Sequence, residues 1–138
     1  MWNNHFGTIM RIIRFVLIVA FLLLNLDCSI HAQTAMDIAP KMMPGWNLGN
    51  TLEAGPCTWL SNKLDWETGW QPTKTTQSII NSVKEAGFNA VRIPCAWDIH
   101  SDSKGKIDVV WMARVKKIVD YCMNAGLYVV LNDHWDNG

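Results

Sequence analysis

Apolar positions recur with a helical period in two stretches of the chain, and a short apolar run follows each almost at once. In the first stretch Ile79, Ile80, Val83 and Ala86 make one stripe, with Thr75 or Thr76 able to cap its start and Gly87 to stop it. In the second, Trp111, Val115, Ile118 and Cys122 recur at spacings of four, three and four. Asp108 supplies an N-cap there, and Asn124 and Gly126 close the helix. The runs that follow, "FNAVRIP" (ended by Pro94) and "LYVVLN", read as strands. Upstream, "KMMPGWNLGNTLEA" reads as a brief strand over 43–48 that breaks into a Gly/Asn turn. The predicted order is β-α-β-α-β. The last run is apolar at consecutive positions, which suits a parallel strand covered on both faces.

The connections are unequal. Helix-to-strand links are tight ("AGF", "NAGL"), whereas strand-to-helix loops are long, and the first, "GPCTWLSNKLDWETGWQPTK", has no period of its own. Such asymmetry is what a βα-repeat protein shows when its site lies at the C-terminal ends of the strands. An open nucleotide-binding sheet would need a glycine-rich turn leading straight into a helix. Here "GWNLGN" leads instead into a long loop with no phosphate cradle. The α/β class expected is therefore a barrel of βα units, with an open doubly wound sheet as the alternative.

The N-terminus stands apart from this pattern. Arg11 and Arg14 precede the apolar run "FVLIVAFLLL" at 15–24, which has the length of a secretory signal's apolar region and is short for a membrane span. Cleavage is expected near Ala32, although Ile30 at the −3 position is less suited than Ala. An uncleaved anchor, or a lipoprotein signal at Cys28, is the alternative. Residues 1–32 are thus read as a signal peptide, 33–42 as a polar leader and 43–138 as the folded part of a secreted protein. Without residues 1–32, ten basic and eleven acidic residues remain, a net charge of −1. That balance offers nothing to nucleic acid, and signal cleavage would leave nothing for a membrane. Cys57, Cys95 and Cys122 are odd in number and lack a CxxC spacing, so neither a disulfide framework nor a zinc site is supported. One bridged pair stays open.

Three strand ends carry the candidate chemistry: Asn47 and Asn50 after the first, Arg92 and Trp97 after the second, His134 and Trp135 after the third. Arg92 lies within an apolar strand, where a buried guanidinium requires an anion opposite it. A structural ion pair and a guanidinium holding a catalytic carboxylate both satisfy that need. His134 stands among Asn132, Asp133 and Asp136, but consecutive strand-end residues alternate faces and do not converge on one metal ion. Trp111 belongs to a helix stripe and is expected in the core. Trp46, Trp59, Trp66, Trp70, Trp97 and Trp135 are expected near the rim, where indole faces suit the C–H faces of a neutral sugar chain. Glu53 and Glu67 are read as solvated or rim-lining loop carboxylates.

Together "GWNLGNTLEA", "WETGWQPTKTT", "KEAGFNAVRIPCAW" and "GLYVVLNDHWDNG" resemble the N-terminal part of glycoside hydrolase family 5, most closely the endoglucanase and xyloglucanase branch, subfamily 4. The resemblance covers 43–138 in the family's order and spacing. It implies a (β/α)8 TIM barrel, of which about the first three βα units are present, retaining cleavage of internal β-1,4 bonds in a β-glucan polysaccharide, and no cofactor. By the same resemblance Arg92 contacts the nucleophilic Glu and His134 lines the −1 subsite. Asn47 and Asn50 lie on the glycone side, and Trp97, Trp135 and Asp136 join the substrate-binding set. Two departures concern subsite detail: Trp135 stands where several relatives have His, and "WQPTKTT" replaces the usual "WGNPKTT". The family's acid/base and nucleophile would lie beyond Gly138, so the chain is expected to be a fragment. A non-catalytic sugar-binding relative, and a mannanase or xylanase on the same barrel, are the alternatives.

Overall fold

A computed structural model describes residues 14–16 and 33–135. Most of the expected signal segment, 1–13 and 17–32, lies outside the described residues, as does Asp136. The leader, for which the pattern predicts no element, opens with helix α1 (Ala35–Ile38) and a 3-10 turn (Ala39–Met42). Thr34 and Asp37 start α1 with a reciprocal capping box, in which each side chain accepts the other's backbone N–H. The Thr34 hydroxyl, donating to Asp37 Oδ2 at 2.7 Å, and then the Thr34 N–H hold the Asp37 carboxyl below the ordinary carboxylate range.

Three parallel strands follow, β1 (Gly45–Asn47), β2 (Ala90–Cys95) and β3 (Tyr128–Asp133), in the order β1-β2-β3. Helices α2 (Gln77–Glu85) and α3 (Val109–Asn124) connect them. Thr76 caps α2 through its side chain, accepting the Ile79 N–H, and Asp108 caps α3 by accepting the N–H groups of Val110 and Trp111. Both helices end the same way. In α2, Phe88 N–H donates to the Val83 carbonyl across Gly87 (φ 94°), and in α3, Leu127 N–H donates to that of Cys122 across Gly126 (φ 69°). A left-handed residue just past the helix is needed for that closure, and glycine adopts it without a Cβ clash.

β2 runs one residue past Pro94, which was expected to end it. Alternation explains the tolerance. Arg92 and Ala96 bond toward the first strand and its loop (Leu48 N–H to the Arg92 carbonyl, Ala96 N–H to that of Leu52), whereas the Cys95 carbonyl accepts His134 N–H on the β3 side. The N–H missing at Pro94 thus belongs to the side on which β1 has already ended.

Val91, Ile93 and Cys95 project from one face of β2 into a core shared with Ile80 and Val83 of α2 and with Trp111, Val115, Ile118 and Cys122 of α3. The four-residue stripe of α3 is buried along its whole length. In α2 only Ile80 and Val83 are, Ile79 being half-buried and Ala86 exposed. β3 departs from its expected burial: Tyr128, Val130 and Leu131 are exposed, and Val129 alone packs onto the core. Its apolar residues lack cover because, among the described residues, β3 pairs along one edge only.

The long β1–α2 loop has a small core of its own, in which Ala54, Cys57 and Trp66 bury one another under Leu60 and Ile99. Gly69 is required there, since a Cβ would collide with the Cys57 thiol. Cys57, Cys95 and Cys122 are all buried free thiols, with no bridge among them.

Candidate active site

Parallel register sets Asn47 beside Arg92 and Arg92 beside Val130. Because β-strand side chains alternate, Arg92 leaves β2 on the face opposite Val91, Ile93 and Cys95, away from the helices. There its Nη1 donates to Asn47 Oδ1 at 2.7 Å, and its Nη2 bonds His134 Nδ1 at 3.0 Å. One residue from each strand end therefore meets at the guanidinium.

Arg92 is less deeply sunk in the wall than its apolar strand suggests. Arg92 is half-buried, and no carboxylate among the described residues pairs with it. A guanidinium can only donate, so the bond to His134 requires a lone pair on Nδ1 and leaves the ring's proton on Nε2. Backbone pairing fixes the ring's root, since His134 N–H donates to the Cys95 carbonyl at 2.9 Å, one step beyond the β2–β3 ladder.

The other candidates are placed differently. Asn50 is exposed on the loop beyond Asn47, with a left-handed backbone (φ 58°), and makes no bond to Arg92. Trp97 is half-buried against the main core at the end of β2. Trp135 is also half-buried, and its indole N–H donates to the Glu53 carbonyl at 3.0 Å, tying the end of β3 to the β1 loop. Asp136 lies outside the described residues.

The rim tryptophans divide. Trp59 and Trp70 are exposed, Trp46 is half-buried on the core, and Trp66 is buried in the loop cluster, contrary to its expected rim position. Trp66 is drawn inward by His100, whose ring meets it edge-on while stacking on Trp111 at 3.7 Å.

Of the two readings for Glu53 and Glu67, solvated or rim-lining, burial rules out the solvated one, with exposures of 5% and 1%. Glu67 receives a two-pronged ion pair from Arg114, Nε to Oε2 at 2.7 Å and Nη2 to Oε1 at 2.6 Å, and also accepts the Thr75 N–H. This bonding holds the guanidinium of Arg114 above its ordinary range. Glu53 accepts the backbone N–H groups of Asn50 and Thr51. Residue-type reasoning missed both burials. The spacing Asn50-x-x-Glu53 carries a signal for the first, because a Glu three residues after a capping type reaches back to that residue's N–H. Glu67 and Arg114 are far apart in sequence and carry none.

A cavity of 610 Å³ lies between the segments 61–64 and 99–109, but it shares no lining residue with the Asn47–Arg92–His134 cluster. The strand-end cluster, in contrast, has the chemistry of an anion-organising site: a cation with donors to spare and an imidazole of defined tautomer.

Comparison with known proteins bears on the same strand ends. The sequence model of the cellulase family, glycosyl hydrolase family 5, matches residues 53–138. This chain belongs to glycoside hydrolase family 5. Among curated family 5 relatives, endoglucanase A of Clostridium longisporum is 42% identical over 104 residues, 74% of this chain and 20% of that protein. Endoglucanase B of Ruminococcus albus is 44% identical over 104 residues, 73% of this chain and 24% of that protein. The chain thus spans about a fifth to a quarter of the length of these two relatives.

Two solved structures are similar. A xyloglucan-specific β-1,4-glucanase from a ruminal metagenomic library, in complex with XXLG, is 66% identical with a TM-score of 0.71, over 77% of this chain and 26% of that one. A broad-specificity subfamily 4 endoglucanase from Ruminococcus flavefaciens is 47% identical with a TM-score of 0.71, over 76% and 30%. Family 5 relatives of this kind imply a TIM-barrel fold, and the three-stranded parallel sheet is consistent with part of one.

Proposed function

We propose that the protein carrying this chain is a secreted retaining glycoside hydrolase that cleaves internal β-1,4-glucosidic bonds of a β-glucan on a complete (β/α)8 barrel. The observation that carries the reading is the convergence of Asn47, Arg92 and His134 at the C-terminal ends of three parallel strands, in a chain similar to glucanases. Barrel enzymes put their chemistry on that rim.

Retaining cleavage needs two carboxyls roughly 5–5.5 Å apart, one protonating the leaving oxygen and one attacking the anomeric carbon. Glu53 and Glu67 do not supply them, because their oxygens are occupied by backbone N–H groups and Arg114. In this reading both carboxyls come from other residues of the protein. Asn47 and His134 engage two of Arg92's five N–H donors, and the rest can orient a carboxylate nucleophile and keep it ionised. His134, with its proton on Nε2, can donate to a sugar hydroxyl or to that carboxylate. The exposed Trp59 and Trp70 offer faces to further glucose units. The basic and apolar run at 11–24 supports export, with cleavage near Ala32.

Xyloglucan is the substrate favoured within this class, on the 66% identity to a xyloglucan-specific glucanase. The test is reducing-sugar release by the full-length protein from xyloglucan, mixed-linkage β-glucan, carboxymethylcellulose, mannan and xylan, with the anomer of the first product read by NMR. Release from the glucans as the β-anomer is expected. Hydrolysis of mannan or xylan alone, or of nothing, would overturn the assignment.

A further inference from the structure

Glu53 is a buried carboxylate that the proposed reaction does not use. No cation among the described residues pairs with it; its Oε1 accepts the Asn50 N–H at 2.6 Å and its Oε2 the Thr51 N–H at 3.0 Å. Two consecutive amides converge on one anion only when the backbone turns, as at Asn50, whose φ of 58° is left-handed. Thr51 Oγ1 closes the turn by donating to the Gly49 carbonyl at 3.0 Å. Gly49 lies between the two side chains that matter: a Cβ there would stand 2.9 Å from Asn47 Nδ2 and 3.7 Å from Glu53 Oε1. Any shift of this turn is therefore felt by Asn47, and through it by Arg92. The Glu53 carbonyl also accepts the indole N–H of Trp135, next to His134, which is Arg92's other partner.

We propose that Glu53 is a positioning residue: its carboxylate sets the turn that holds Asn47 and Asn50 toward the glucan, and its carbonyl ties that turn to the His134–Trp135 strand end. This rests on the β-glucan reading for its substrate. Glu53 does not itself touch sugar, because both its oxygens face backbone. Glu53→Gln would leave one acceptor oxygen and set an NH2 against a backbone N–H, so a neutral isostere cannot hold both amides. Trp135→Phe removes the donor of the second tie, and with it part of an indole that the family resemblance assigns to substrate binding.

The experiment compares full-length wild-type protein with Glu53→Gln, Trp135→Phe and a control, Glu85→Gln, at the exposed end of α2. Amide hydrogen exchange at Asn50 and Thr51 is followed without substrate, and KM and kcat are measured on xyloglucan at equal folded fraction. Exchange at both amides is expected to quicken about tenfold or more in Glu53→Gln, the scale of a lost hydrogen bond to a charged group. KM should rise on the order of tenfold there and about threefold in Trp135→Phe, with kcat changed less, while Glu85→Gln matches wild type. An unchanged KM at equal folded fraction, with only the yield of folded protein reduced, would overturn the proposal by making Glu53 merely structural. Unchanged exchange would overturn it too. If Glu53→Gln does not fold, amide exchange at Asn50 and Thr51 in Trp135→Phe decides without substrate: quicker exchange supports the tie, and unchanged exchange overturns it. Wild-type protein that releases no sugar would refute the activity, and exchange at the two amides would still judge Glu53.

Discussion

At the scale of single residues, Arg92 has the strongest consequence. Its planar fork reaches Asn47 and His134 at once, through separate nitrogens. Lysine offers one compact ammonium in place of that fork. Arg92→Lys should therefore lower kcat/KM on β-glucan by roughly one to two orders of magnitude, the scale of about 1.5–3 kcal/mol for a hydrogen bond to a charged group. Its thermal midpoint should hardly move, because Arg92 is half-exposed and lies outside the core. Parallel losses of midpoint and activity would refute the separation. Glu67 predicts the opposite pattern. Its carboxylate is buried against Arg114, so Glu67→Gln leaves an uncompensated cation and should cost about 3–5 kcal/mol in urea unfolding. Arg92 was legible as a candidate from a cation inside an apolar run, but its partners were not, since they come from two other strands. Trp66 was misplaced for a related reason: indole suits both a sugar and a core, and only packing against Cys57 and His100 decides.

Among the elements, α3 concentrates the stabilising contacts. Asp108 accepts two backbone N–H groups at its start, and this bonding, chiefly from Trp111, holds the carboxyl below its ordinary value of 3.8. A depressed folded pKa contributes stability above 3.8 that is lost as pH falls through the lower folded value. Amide exchange in the first turn of α3, at Val110 and Trp111, should therefore quicken below that pH relative to mid-helix. Asp108→Ala should show the same fast exchange at neutral pH, and a first turn indifferent to both changes would count against the cap. On the core side of α3, burial pushes the Cys122 thiol up to about 11. The folded state thus keeps a proton that the unfolded chain gives up near pH 9, so stability should fall as pH rises from about 9 towards 11. Alkylation of Cys122 at pH 8 should require unfolding. The stripe and caps of α3 were readable because helical period and terminus chemistry are local. The exposure of Ala86 was not, since the stripe of α2 narrows to the width that β2 can cover.

For the molecule as a whole, the balance of covered and uncovered surface matters most. One face of the sheet is packed by α2 and α3, while β3 leaves Val130 and Leu131 exposed at 40% and 43% and one edge unpaired among the described residues. Apolar strands with a free edge associate. Residues 33–138 purified alone should give a broad thermal transition and concentration-dependent light scattering, and Val130→Lys should reduce the scattering. A sharp, concentration-independent transition of the unmodified segment would refute this. The doubly covered strand anticipated from the run "YVVLN" is a property of composition, whereas cover is supplied by neighbours.

Sequence by itself determined the β-α-β-α-β order from β1 to β3, the cap of α3, both glycine stops, the α3 stripe and the strand ends at which Asn47, Arg92 and His134 stand. All of these follow from interactions within a few residues or from a periodicity the chain carries along its length. Tertiary structure alone decided that Arg92 bonds two neutral side chains, that Glu53 and Glu67 are buried and fully partnered, and which tryptophans face solvent. Those outcomes depend on groups distant in sequence, such as Glu67 with Arg114 and Glu53 with Trp135, brought together only when parallel strands align and the long loop folds onto them.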